Sequence, residues 1–211
     1  MKRLLVLADS LSLPREQPEH CSYDNTWPQL LKRNFIVHQV SIGGATVKEL
    51  LRQLEYHKAF QPDLVVIQSG IVDCAPRALS KLELEILSRY KLTRKTILKF
   101  IQSRATRFRK LRSTSYTPVP AYRATLEAIV SKLPGAQVFA LSILPGNSAY
   151  EKLVPGIQTS IVKYNNVLQE VFKERYISLD DIDRTGIMSD HIHLNEAGQG
   201  DVYEHILTRI R

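Results

Sequence analysis

A serine near the amino terminus and an Asp–His pair near the carboxyl terminus are the residues best suited to covalent catalysis. Ser10 follows the apolar run Arg3–Ala8, and Asp190 and His193 stand three positions apart, ahead of a predicted helix. A serine hydroxyl needs an adjacent base, and that base needs a group that orients it. A turn at 190–193 would let the carboxylate hold one ring nitrogen while the other faces Ser10. These residues predict acyl transfer through a Ser–His–Asp site.

The pattern of strands and helices along the rest of the sequence predicts how the two ends of the chain meet. Continuous apolar runs predict strands, and the amphipathic stretches between them predict helices. Strands that are apolar throughout and alternate with helices indicate a parallel sheet covered on both faces. Reactive groups in such a sheet gather at the carboxyl ends of the strands. Five stretches are predicted as strands: Arg3–Ala8, Phe35–Val40, Leu64–Ile67, Val138–Ile143 and Tyr176–Leu179.

Four blocks of the sequence resemble the SGNH (GDSL) hydrolase family. Ala8-Asp9-Ser10-Leu11-Ser12 is similar to that family's Gly-Asp-Ser-Leu-Ser. The last block, Asp190-His191-Ile192-His193-Leu194-Asn195-Glu196-Ala197-Gly198, is similar to Asp-x-x-His-Leu-Asn-x-x-Gly. Gly43-Gly44-Ala45-Thr46 and Gly70-Ile71-Val72-Asp73 stand in the places of the second and third blocks. The resemblance therefore runs through the whole chain.

This resemblance implies both a fold and an activity. The expected fold is α/β, a three-layer α/β/α sandwich with a central, mainly parallel five-stranded sheet in the flavodoxin-like arrangement. Residues 1–211 would form a single domain, with a basic helical insertion at about 78–120. The expected activity is that of a carboxylic ester hydrolase that needs no cofactor.

The resemblance also implies roles for individual residues. Ser10 would be the nucleophile, His193 the general base and then acid, and Asp190 its orienting partner. The backbone N–H groups of Ser10 and Gly44, with a side-chain amide, would form the oxyanion hole. Further candidates for substrate binding are Asp9, Asp73, Arg77 and Asn147.

Val72 departs from the family pattern. The third block of the family is Gly-x-Asn-Asp, and here valine stands in place of the amide-bearing asparagine. Loss of one oxyanion donor costs roughly 2.7–4 kcal/mol of transition-state stabilisation. We expect either slow catalysis or a donor from Arg77, Gln68 or Asn147. A guanidinium at Arg77 is also suited to an anionic substrate group, or to bracing its own loop.

Two other chemistries would use neighbouring residues. Asp190, His191 and His193 are of metal-ligand types, but no further Cys or His cluster supports them, so we predict no metal. Cys74 is a second candidate nucleophile, although a small loop thiol is the simpler interpretation.

Composition limits the classes of protein. Two cysteines offer no disulfide framework, and no segment approaches the roughly 20 apolar residues of a membrane span. The run after Met1-Lys2-Arg3 is better interpreted as a strand than as a signal peptide, so we expect a cytoplasmic location.

One segment carries the excess of positive charge. Ten basic residues and no acidic one lie in Arg89–Arg112, while the net charge of the whole chain is +8. One interpretation is a solvated helix that packs Ile97, Ile101 and Phe108 onto the body. The other is attraction to an anionic membrane surface, which would make the protein peripheral there, or to an anionic glycan. Nucleic acid is disfavoured because aromatic stacking residues are sparse.

Three functions stay open on these observations. The first is an ester hydrolase, most simply an O-deacetylase of an acylated sugar or polysaccharide precursor. The loop Gly70–Arg77 is similar to a variant subgroup that we associate with bacterial surface-polysaccharide biosynthesis. The second is an O-acyltransferase that uses the same serine. The third is a non-catalytic module that binds glycan or lipid, which Val72 supports and the intact Ser–His–Asp set opposes.

Overall fold

Five parallel strands form the centre of the protein, in the order β2–β1–β3–β4–β5. The structure is a computed structural model that describes residues 1–90, 94–112 and 114–210. Ala8 pairs with Ser41 on one side and with Gln68 on the other, so the carboxyl ends of the three neighbouring strands are level. The strands are β1 Arg3–Ala8, β2 Ile36–Ser41, β3 Leu64–Gln68, β4 Gln137–Leu141 and β5 Tyr176–Ile177.

Helices cover both faces of this sheet. On one face α2 packs against α7 and α7 against α9, and on the other α1 packs against α10. The strand order is that of a doubly wound flavodoxin-like sheet, so the predicted three-layer α/β/α fold is confirmed. The helices are α1 Trp27–Leu31, α2 Val47–His57, α3 Ile71–Cys74, α4 Lys81–Arg89, α5 Arg94–Ser103, α6 Ala105–Arg112, α7 Val119–Ser131, α8 Ser148–Leu153, α9 Ile157–Phe172 and α10 Glu196–Ile210.

Side chains explain why two strands end earlier than their apolar runs predict. Beyond β4, the Asn165 amide accepts from the N–H of Ile143 (2.8 Å) and donates to its carbonyl (3.0 Å), in place of a neighbouring strand. Beyond β5, the N–H of Leu179 donates to the hydroxyl of Ser142 at 2.8 Å. The polar loop predicted after β3 instead contains α3, a single helical turn that begins after Gly70 at φ +132°.

The segment from α4 to α6 is loosely packed. None of its described side chains is buried, and 37% of Ile97 is exposed, although Ile101 and Phe108 are half-buried. Arg112 binds Glu83 at 2.8 Å, so part of the positive charge has a partner within the protein. Lys91 and the Arg94 side chain lie outside the described residues, and an anionic partner for this segment stays a prediction.

None of the described helices combines the length and the apolar character needed to cross a bilayer.

Candidate active site

The turn after β1 presents Ser10 at the carboxyl edge of the sheet. Asp9 directly follows the strand, and its carboxylate accepts the N–H of Leu11 at 3.0 Å. The hydroxyl of Ser12 donates to the carbonyl of Asp9 at 3.0 Å. Together these bonds close one 3₁₀ turn over residues 10–12. Because Ser10 opens that turn, its N–H has no acceptor within the helix and is available to a substrate.

A second turn, just before α10, presents the base. One oxygen of Asp190 accepts the backbone N–H groups of Ile192 (3.0 Å) and His193 (2.9 Å). Its other oxygen lies 2.6 Å from Nδ1 of His193. Nε2 of the same ring lies 2.9 Å from Oγ of Ser10. The carboxylate therefore orients the imidazole so that its second nitrogen faces the serine hydroxyl.

The electrostatics of this turn suit a neutral base. Burial lowers the pKa of His193, the bond and charge of Asp190 act to raise it, and the positive charge of Arg15 lowers it again, with a net decrease. Burial acts to raise the pKa of Asp190, but the N–H groups of His193 and Ile192 outweigh it, so this carboxyl stays ionised. A neutral imidazole at neutral pH can accept the proton of Ser10.

The loop after β2 supplies the other predicted oxyanion donor. Gly44 is exposed and has φ +73°, a left-handed conformation that favours glycine. Among the described residues, no hydrogen bond is donated by its N–H. Helix α2 starts three residues later, at Val47, with a capping box between Thr46 and Glu49. Buried Asp73 holds this start, since its two oxygens lie 3.2 and 3.1 Å from the N–H of Val47.

Comparisons with known proteins show which family the chain belongs to. The family model for the GDSL-like lipase/acylhydrolase family matches residues 14–200. The chain belongs to that family. Its activity is accordingly that of a hydrolase acting on esters. The matched region begins after Ser10, so the role of Ser10 as nucleophile stays a prediction, which its contact with His193 supports.

Several solved structures share the fold. A lipase/acylhydrolase from Enterococcus faecalis is 18% identical with a TM-score of 0.68, over 100% of this chain and 95% of that chain. TesA is 20% identical with a TM-score of 0.65, over 100% and 98%. Axe2, an acetylxylan esterase from Geobacillus stearothermophilus whose structure is of a catalytic mutant, is 19% identical with a TM-score of 0.61, over 99% and 94%. Comparison with curated proteins finds no match.

Two predicted substrate-binding carboxylates of this GDSL chain lie inside the protein. Asp9 and Asp73 are both 0% exposed, so neither can contact a substrate in this structure, contrary to expectation. Asp9 shapes the Ser10 turn, and Asp73 binds Val47 and the hydroxyl of Thr117 at 2.5 Å. Burial raises the pKa of Asp9 to about 7 and that of Asp73 to about 6. Both side chains position the loops of the site.

Of the three side chains proposed to replace the missing asparagine, Arg77 and Asn147 contact other groups of the protein, and Gln68 has an N–H that is free within the part of the chain that the structure describes. Arg77 donates to the carbonyl of Val72 at 3.0 Å and lies over the Tyr116 ring at 4.4 Å, which is the loop-bracing arrangement. Asn147 caps α8 through Tyr150 at 2.7 Å and lies 3.3 Å from Nδ1 of His191. Nε2 of Gln68 is buried and has no partner among the described residues. None of these contacts shows a side-chain donor in the place of the asparagine that Val72 replaces.

The two alternative chemistries find little support. Cys74 is fully buried, and burial together with the negative charge of Asp73 raises the pKa of its thiol, so it is not poised as a thiolate. Around His191 and elsewhere in the described part of the chain, no group of three or more His, Cys, Asp or Glu side chains could hold a metal ion.

A small apolar pocket lies beside the nucleophile. Its free volume is about 10 Å³, close to what one water-sized group occupies. It is bounded by the residue after Ser10 and by two residues of the turn that carries His193. Its walls are Leu11, Ile71, Ile143, Leu144, Gly146, Tyr150, His191 and Ile192.

Sequence reasoning missed Arg15. Its Nη2 atom lies 2.5 Å from Nε2 of His193, the nitrogen that also faces Ser10. No motif or spacing marks this residue, because the loop between the nucleophile block and α1 has no counterpart in the resemblance. The one available signal was a basic residue five positions after the nucleophile.

Proposed function

We propose that this protein removes short acyl groups, acetyl above all, from O-acylated sugars or polysaccharide precursors through a Ser10 acyl-enzyme. The observation that carries the proposal is the chain of contacts from Ser10 Oγ to His193 Nε2 (2.9 Å) and from His193 Nδ1 to Asp190 (2.6 Å). Membership of the GDSL family supports the ester chemistry, and the fold shared with an acetylxylan esterase supports the choice of a sugar ester.

The acylation half-reaction follows from these contacts. Ser10 Oγ attacks the acyl carbon while its proton passes to Nε2 of His193, and Asp190 stabilises the imidazolium that forms. The N–H groups of Ser10 and Gly44 bind the oxyanion. The bond to the alcohol oxygen then breaks, and that oxygen takes the proton from Nε2. Ser10 is left acylated and the sugar alcohol is released.

Water completes the cycle in the second half-reaction. It attacks the acyl carbon as its proton passes to Nε2 of His193. The bond to Ser10 Oγ breaks, and that oxygen recovers the proton. The products are the free acid and the original enzyme. A sugar hydroxyl in place of water would give the transferase that uses the same site.

The apolar pocket supports a short acyl chain. An acetyl methyl group is about the size of the space that the pocket offers, whereas a longer chain would require its walls to move. Five of those walls belong to the packed core, where rearrangement costs free energy: Leu11, Ile71, Ile143, Leu144 and Tyr150. We therefore expect acetyl esters to react faster than octanoyl esters.

Labelling with a serine-directed fluorophosphonate, combined with turnover of p-nitrophenyl acetate, butyrate and octanoate, tests the proposal. The wild-type protein should be labelled and should prefer acetate over octanoate by at least about tenfold in kcat/KM, as expected when one chain fits and the other does not. Ser10→Ala should lose both label and turnover. Cys74→Ala is the control that changes the other candidate nucleophile.

Three outcomes separate the alternatives. An unlabelled wild-type protein, or turnover that survives in Ser10→Ala, contradicts the proposed nucleophile. Faster turnover of octanoate contradicts the acetyl assignment. Labelling without hydrolysis, with turnover restored by an added sugar acceptor, identifies the transferase.

A further inference from the structure

Arg15 places a positive charge on the catalytic base. Its Nη2 atom is 2.5 Å from Nε2 of His193, and Ser10 Oγ is 2.9 Å from the same nitrogen. The guanidinium and Ser10 Oγ contact the same ring nitrogen. The guanidinium therefore lies in the space that the substituents of an ester bound at Ser10 would occupy. Nothing in the Ser–His–Asp chemistry itself requires a cation at this point.

The backbone holds Arg15 in this position. Arg15 and Cys21 form an antiparallel bridge, in which each N–H donates to the other's carbonyl at 2.9 and 2.8 Å. Within the loop so closed, the Glu19 carboxylate accepts the N–H of Ser189 at 3.0 Å, one residue before Asp190. The loop that carries the guanidinium is therefore tied directly to the turn that carries the base.

The charge of Arg15 is not compensated. Among the described residues, no carboxylate forms an ion pair with it, and its buried Nε has no hydrogen-bond partner. Burying part of an unpaired guanidinium costs free energy, which an anion bound beside it would offset. A guanidinium fork matches the oxygens of a carboxylate or a phosphate.

The contact also opposes the reaction. A neutral imidazole has one lone pair on Nε2, so an N–H from Arg15 competes with the hydroxyl of Ser10 for it. When His193 takes the serine proton it becomes a cation, and a guanidinium at this distance then repels it. The base works better once Arg15 has turned to another acceptor.

We propose that Arg15 binds an anionic oxygen group of the substrate close to the scissile ester, and that this binding draws the guanidinium away from His193. The site then selects acyl esters of acidic sugars over those of neutral sugars. This inference rests on the proposed function, and it adds the charge of the group that carries the ester. A carboxylate and a phosphate share the required chemistry, and the substrates of the test distinguish them.

Matched substrates test the selection. They are methyl 4-O-acetyl-glucuronoside, its uncharged carboxamide, and methyl 4-O-acetyl-glucoside 6-phosphate. The wild-type protein should prefer at least one anion over the carboxamide by about 10- to 100-fold in kcat/KM, the range expected for charge-assisted hydrogen bonds. The preferred anion identifies the substrate group as carboxylate or phosphate.

Variants assign the preference to Arg15. Arg15→Ala should bring the ratio of anion to carboxamide close to one, and should raise turnover of the carboxamide as the repulsion is removed. Arg15→Lys should keep part of the preference, because it retains the charge without the fork. Arg175→Ala removes the same charge at the amino end of β5, the opposite edge of the sheet, and should leave the ratio as it is.

Binding to Ser10→Ala separates this inference from the proposed function. Calorimetry should show tighter binding of the anionic ester than of the carboxamide, and Ser10→Ala with Arg15→Ala should lose the difference. If that result is obtained while Ser10 proves unreactive, the hydrolase fails and the anion site stands. Equal wild-type rates for all three substrates, or a preference that persists without Arg15, overturn the inference.

Discussion

On the triad side of the site, the polar atoms that transfer and hold the proton are all paired. Both oxygens of Asp190 accept hydrogen bonds, and both nitrogens of His193 have partners. On the oxyanion side, Gly44 offers one N–H, and Val72 stands where the family has an amide. The contacts proposed to transfer the proton are thus all present, while the proposed oxyanion site has no side-chain amide from position 72.

Each side is held by a buried carboxylate. Asp9 closes the turn that presents Ser10, and Asp73 fixes the start of α2 beside Gly44. Burial raises the pKa of both, to about 7 and about 6. The difference between the sides therefore lies in the groups that meet the substrate, and not in the support behind them.

Asp190→Asn changes the triad side of the site, and we expect it to have the largest effect on activity. An asparagine can keep the turn, but its amide favours the wrong tautomer of His193, and such a change lowers kcat by about 10⁴-fold. The kcat for p-nitrophenyl acetate measures this, with exposed Asp24→Asn as the control. A loss of tenfold or less would mean that the paired triad is not what drives the reaction.

Asp9→Asn probes the support of the same side through stability. The folded pKa of Asp9, about 7 against an ordinary 3.8, means that the unfolded chain loses this proton first as pH rises. Ionisation therefore favours unfolding from about pH 4 upwards, on the order of 4 kcal/mol once pH exceeds the folded value. Because asparagine does not ionise, Asp9→Asn should not lose this stability as pH rises.

Urea unfolding at pH 5 and pH 8 measures that effect. Asp9→Asn should gain stability over the wild type, and the gain should be larger at pH 8 than at pH 5. Asp24→Asn serves again as the control for removal of an exposed carboxylate. A difference that stays constant with pH would show that Asp9 is not the neutral, buried acid of this structure.

Val72→Asn tests the incomplete side. One oxyanion donor is worth about 10²–10³ in rate when it is well placed, and a newly introduced amide should recover part of that, roughly tenfold or more in kcat. Val72→Ala removes similar packing without adding a donor and should give no gain. If Val72→Asn is no faster than Val72→Ala, another group already fills the role.

The contacts among Ser10, His193 and Asp190 could be anticipated from the sequence because much of the information for them is local. Asp190 and His193 belong to one turn, so their spacing alone indicates that the carboxylate can reach the ring. The approach of Ser10 follows from the strand pattern, which places both turns at the same edge of a parallel sheet.

The orientation of the other polar residues is not local. Asp73 turns inward because α3 makes a single helical turn, too short to show a helical pattern in the sequence, and Thr117, far along the chain, meets it there. Arg15 reaches His193 only because its loop pairs with Cys21. Such placements depend on tertiary contacts that no spacing in this sequence predicts.

The last prediction concerns the pH dependence of activity, and we expect it to show the smallest effect. Only neutral His193 accepts the serine proton, so kcat/KM should fall as pH decreases through its free-enzyme pKa, below the ordinary 6.5. Burial is the main cause of that low value, and Arg15 contributes. Arg15→Ala should therefore move the acid limb to higher pH, whereas Arg175→Ala should not.

An acid limb at or above 6.5 in the wild type would mean that Asp190 outweighs burial and Arg15 together.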